Sequence, residues 1–67
     1  MDNAKMRVFD ERKELMSKID KLTLFIQTSD VFNRLSKKMR QLLKRQLRIM
    51  KRYLNVLTKR LRVWEEK

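Results

Sequence analysis

Apolar residues recur along this chain with the period of a helix that packs against other helices. Between Val31 and Trp64, the residues Leu43, Leu47, Met50, Leu54, Leu57, Leu61 and Trp64 alternate spacings of four and three, the seam of a coiled-coil-like helix. A second row, Leu42, Ile49, Val56 and Val63, runs beside the first at a spacing of seven. The first part of the chain repeats the theme: Val8, Arg12, Leu15, Ile19, Leu22 and Ile26 form a line flanked by Phe9, Met16 and Phe25. Between the two periodic stretches, Gln27-Thr28-Ser29-Asp30 interrupts the pattern with residues that favour turns and N-caps. Val31 to Leu35 predicts a short turn of helix whose Phe32 and Leu35 plug the end of a hairpin, and Ser36 offers an N-cap to the second long helix.

The pattern predicts an all-α fold in a single domain over residues 1–67. It is an antiparallel helical hairpin: a helix over about 3–27, a connector over 28–36 and a helix over about 37–65. At 1.5 Å per residue the two helices are roughly 36 and 42 Å long. A lone hairpin covers one seam of the second helix and leaves the row from Leu42 to Val63 bare. A continuous apolar strip of that kind marks an interface, and closing on copies of itself is the simplest way for a chain to bury one. The expected state is a homo-oligomeric bundle, a dimer or higher.

Composition narrows the chemistry. Gly and Pro are both zero, as suits a chain made almost wholly of helix. A chain of 67 residues buries only about 60% of its unfolded surface, and without Cys neither a disulfide nor a thiolate metal site can supplement the core. The absence of His removes imidazole chemistry. Asp10, Glu11 and Glu14 are interleaved with Lys13 and Lys18, the spacing of a surface ion-pair lattice rather than of a metal cluster. With no base placed beside a nucleophile, no catalytic residue, metal or cofactor is assigned, and an enzyme is not expected. No apolar run approaches the roughly 20 residues of a membrane span, and the N-terminus lacks the layout of a secretory signal. The expected setting is the cytoplasm, without a membrane partner.

Charge then singles out one helix. Residues 1–30 hold six basic and six acidic side chains, whereas residues 31–67 hold thirteen basic and two acidic. The whole net charge of +11 therefore lies on the second half, the footprint of a polyanionic partner. Opposite the apolar face stand Lys44, Arg45, Arg48, Lys51, Arg52, Lys59 and Arg62. Lys37 and Lys38 occupy the first turn, where the helix dipole disfavours cations by about 0.3–1 kcal/mol each and where a bound anion would offset that cost. Glu65 and Glu66 oppose the dipole at the other end. Gln46, Tyr53 and Arg60 repeat every seven residues along the border of the apolar face. Arg12 stands where the first helix calls for an aliphatic residue; it either snorkels to solvent or lines a polar pocket where subunits meet.

The cadence from Glu14 to Leu61 resembles a known group. Glu14-Leu15, Lys18-Ile19, Lys21-Leu22, Phe25-Ile26, Phe32, Leu35-Ser36, Leu42-Leu43, Gln46-Leu47, Met50, Tyr53-Leu54, Leu57 and Arg60-Leu61 are similar to the pattern of small helical-hairpin proteins of crAss-like phages and related prophages. In that group, acidic residues are common where Lys37, Lys38, Lys44, Arg45 and Arg48 stand here. The resemblance implies a phage setting and a hairpin fold. By analogy of fold and setting, it leads to the phage anti-CBASS and anti-Thoeris sponges, oligomeric helical proteins that sequester nucleotide second messengers of bacterial immunity.

Such a messenger, a cyclic oligonucleotide or a cyclic ADP-ribose type, carries phosphates and flat bases. It calls for Arg or Lys forks and for aromatic or guanidinium planes. The candidate ligand-binding residues are Arg12, Lys37, Lys38, Arg45, Arg48, Arg52, Tyr53 and Arg60. The alternative is a DNA- or RNA-binding hairpin dimer, with Lys44, Lys51, Lys59 and Arg62 in a line on the outside and an affinity that falls steeply with salt. A helix that binds a protein partner or a membrane surface is the third reading.

Overall fold

The computed structural model describes residues 3–66. Three helices follow one another: α1 (Asn3–Thr28), α2 (Asp30–Arg34) and α3 (Lys37–Glu65). α1 and α3 lie antiparallel in a rod 49 Å long and about 15 Å across. α1 runs one residue further than the periodicity predicts, because the Thr28 hydroxyl donates to the Leu24 carbonyl at 2.7 Å and stays within the last turn.

The reversal is made without glycine. Ser29 and Leu35 bracket α2 in extended backbone (φ −85°, ψ 128° and φ −69°, ψ 155°), and no described residue has positive φ. Extended backbone at Ser29 before this helical turn and at Leu35 and Ser36 after it redirects the chain, so the left-handed conformation that favours glycine is never needed. Both breaks are capped: the Ser29 hydroxyl accepts from the Val31 N–H at 3.1 Å, and the Ser36 hydroxyl accepts from the Met39 N–H at 3.2 Å. Phe32 is buried at the hairpin end and meets Phe25 edge to face, with ring centroids 5.9 Å apart. Leu35 is half-buried beside it. Ser36→Ala removes the cap of the longer helix and is expected to lower stability by about 1 kcal/mol, read as a shift in a urea melt followed by circular dichroism.

The core is thin. Val8, Leu15, Ile19 and Leu57 are buried together, with Leu47, Met50, Leu54, Leu61 and Trp64 packed partly against them. These are the two seam lines that the periodicity predicts. Leu57 is wholly buried, the one described residue shut off completely from solvent. The neighbouring row is not covered: Leu42, Ile49, Val56 and Val63 are each more than half exposed, at 57, 55, 52 and 64%. Such a stripe on one face marks an interface. α1 also exposes Met6, Phe9, Met16 and Leu24, but at irregular spacing. Among the described residues no helix is long and apolar enough to cross a membrane.

Candidate ligand-binding face

α3 is amphipathic over its whole length, so its packing on α1 decides which basic side chains are free. The leucine seam turns toward α1, and Lys38, Arg45, Arg48, Arg52 and Arg60 all stand exposed on the remaining surface. Two grooves there are basic. Lys38, Gln41, Leu42, Lys44, Arg45 and Arg48 line one with a volume of about 730 Å³. Arg45, Arg48 and Arg52 surround Ile49 in the other. The first lies in the size range of small-ligand sites, and the second brings three guanidinium groups around an exposed apolar side chain. Guanidinium forks match phosphate oxygens two at a time, and their planes stack on flat rings. Nearer the C-terminal end, Val56, Lys59, Arg60, Val63, Trp64 and Glu66 line a third, mainly apolar groove. The two basic grooves are walled by α3 alone, the third by α3 and its C-cap residue Glu66, and all three are open to solvent.

The candidates chosen from sequence divide into those this face gathers and those it does not. Arg45 and Arg48 border both basic grooves, Lys38 joining them in the larger and Arg52 in the smaller. Arg60 lies further along the same face, more than one helical turn beyond Arg52. Lys37 belongs to the hairpin end, in a groove with Ile26, Phe32, Asn33, Arg40, Gln41 and Lys44. The Tyr53 hydroxyl donates to the Glu11 carboxylate of α1; this bond fixes the phenol on the side of the exposed row nearer α1. Arg12 is half-buried at the α1–α3 junction, and its Nε donates to the Thr58 hydroxyl at 2.8 Å. That hydroxyl in turn donates to the Leu54 carbonyl at 2.9 Å. Arg12 thus takes up a bond within its own hairpin and does not line the groove of Arg45, Arg48 and Arg52.

Two residues of the larger basic groove, and one arginine of the hairpin end, are not among the ligand-binding candidates that the sequence suggests. Gln41 and Lys44 line the larger basic groove. Arg40 has its Nε shut away from solvent without a hydrogen-bond partner among the described residues. Their signal in the sequence is weak, since basic and polar residues occupy most positions of α3 outside the seams, and only the direction of α1 separates a groove wall from an outlying charge.

Taken together, the fold and the face define a helical-hairpin protein with a thin core, a bare apolar stripe and a strongly basic surface on α3. The profile of the Sequestin family matches residues 2–63, and the chain belongs to that family. Its name conveys sequestration and specifies no ligand. No match was found among curated proteins or among solved structures.

Proposed function

We propose that this protein is a phage-type anti-defence protein that binds and sequesters a nucleotide immune second messenger, of the cyclic oligonucleotide or cyclic ADP-ribose type, in basic pockets of a helical oligomer. The observation that carries the reading is the convergence of Arg45, Arg48 and Arg52 around Ile49, in a chain whose family is named for sequestration. A ligand with two or three phosphates and flat bases meets three guanidinium forks and an apolar floor within about two turns of one helix. The role is stoichiometric binding and not catalysis: the face offers phosphate donors and stacking planes, and the chain has neither His nor Cys to act on what is bound. The phage setting comes from the resemblance in the Glu14–Leu61 cadence. The exposed apolar stripe on α3 supports the oligomer.

Calorimetric titration of the purified protein tests this against cyclic di- and trinucleotides, cyclic ADP-ribose isomers and a short DNA duplex, each at low and at about 150 mM salt. The expected result is saturable binding of one small ligand, at a fixed ratio to protein, that persists at the higher salt. Binding of the duplex alone, collapsing as salt rises, would overturn the reading and leave a backbone-binding protein. A lack of response to every ligand would overturn it as well and shift the search to a protein partner.

A further inference from the structure

The row Leu42, Ile49, Val56 and Val63 has a companion. Met39, Gln46, Tyr53 and Arg60 each lie three residues before one of them, and all are exposed. The two rows together make a second heptad seam, separate from the one that packs on α1 and roughly 36 Å long. Its two flanks differ completely. On one side Met50, Leu57 and Trp64 are already packed in the core with α1. On the other side Lys38, Arg45, Arg52 and Lys59 succeed one another at a spacing of seven, every one basic and exposed. The bond from Tyr53 to Glu11 confirms which flank faces α1.

We infer that this second seam is occupied by the same seam of a second copy running antiparallel, and that the two open flanks then form one basic cleft across the two-fold axis that holds the phosphates of the ligand. The assignment of the cleft to ligand rests on the function proposed above; the pairing does not.

Layer matching carries the first part. Turning one copy end over end brings Ile49 level with the partner's Tyr53, Val56 with the partner's Gln46, Leu42 with the partner's Arg60 and Val63 with the partner's Met39. Every layer then sets one aliphatic side chain against one longer side chain, and the register closes on itself by symmetry. A parallel pair would stack Arg60 on the partner's Arg60 in the seam. It would also aim each basic flank at the flank that α1 covers, because in parallel pairs unlike flanks meet. In an antiparallel pair like flanks meet, so the covered flanks adjoin each other beside α1 and the basic flanks adjoin each other on the open side.

The ends of α3 agree. In the same register Glu65 comes level with the partner's Lys37, near Lys38 and Glu66. Acidic residues at the C-terminal end and lysines at the N-terminal end oppose their own helix dipole, and an antiparallel partner turns both into complementary charges. A parallel partner would set lysine on lysine and glutamate on glutamate.

The cleft is a consequence of the pairing. Arg52 approaches the partner's Arg52 close to the axis, and Arg45 approaches the partner's Lys59. Each groove of α3 that lacked an outer wall gains one. With nothing bound, these like charges repel across the axis; a phosphate between them reverses the sign, so anion binding and pairing reinforce one another.

Introduced cysteines test the pairing cleanly, since the described chain holds none of its own. Gln46→Cys and Val56→Cys are made as separate proteins, mixed and oxidised. The expected product is a disulfide between the two variants, with neither variant cross-linking to itself. Self-linking of each variant would show parallel pairing, and no linkage in the mixture would remove the pairing altogether. For the cleft, sedimentation is followed with tripolyphosphate as the anion. Wild type is expected to pair severalfold more tightly when tripolyphosphate is added. Arg52→Ala is expected to pair severalfold more tightly than wild type without the anion and to lose the response to it. A wild type indifferent to tripolyphosphate, or an Arg52→Ala that pairs more weakly, would overturn the cleft while leaving the cross-link to judge the pairing. Neither readout uses a nucleotide, so failure of the proposed function is seen separately in the titration.

Discussion

Arg45→Ala, Arg48→Ala and Arg52→Ala combined in one protein are expected to abolish binding of whichever cyclic nucleotide the wild type takes up, a loss of at least about 100-fold. Hydrogen bonds to charged groups contribute about 1.5–3 kcal/mol each, and each 1.4 kcal/mol is tenfold in affinity, so even two lost phosphate contacts reach that factor. The three side chains converge on one groove and are exposed, and none belongs to the core. The variant should therefore keep the helical signal of the wild type in circular dichroism, and Ala, the best helix former, adds no cost along α3. The control is Lys51→Ala, on the same helix but outside these grooves, where binding should fall little at physiological salt. Equal losses in the triple variant and the control would show that summed charge, not a local groove, drives binding.

Leu57→Ala has the largest expected effect on stability. Leu57 is fully buried among Val8, Leu15 and Ile19, and truncating a buried leucine costs about 2–5 kcal/mol through lost transfer energy and the cavity left behind. At 0.05–0.15 kcal/mol per residue, a chain of this length has a total stability of only about 3–10 kcal/mol. The change removes a large share of it, and the melting transition should fall sharply or disappear. The melt must be run at fixed protein concentration, because association adds to apparent stability by mass action. Val56→Ala, one residue away on the exposed row, separates the two seams: its hairpin should melt nearly as the wild type does, while the tendency to pair should weaken. If Leu57→Ala cost less than about 1 kcal/mol, the core would not be centred where the packing puts it.

The contrast between Leu57 and Val56 also shows why the hairpin is legible in the sequence. Helical period separates the two residues by about 100° of arc, so assigning one to a seam places the other beside it. The breaks at Ser29 and Leu35-Ser36 were equally readable, since a hydroxyl residue before each new helix supplies the missing acceptor for its first N–H groups. Arg12 was not. An arginine in a seam is compatible with solvent, with a subunit pocket or with a bond inside the hairpin. Choosing the third required knowing that the rotation of α1 on α3 sets Thr58 within 2.8 Å. Tyr53 is similar: its spacing with Gln46 and Arg60 puts it on the border of the apolar face, but nothing in that spacing says that Glu11 lies within reach of its hydroxyl.

By itself the sequence determined the helices, their ends, the seam that packs and the concentration of positive charge on α3, because each of these depends on spacing along one helix and on local capping. The tertiary structure decided which of the candidate side chains stay free on the open surface and which, as Arg12 and Tyr53 do, take up bonds within the hairpin. Both depend on the direction from which α1 covers α3, and that direction is set by side chains far apart in the chain meeting along the α1–α3 junction.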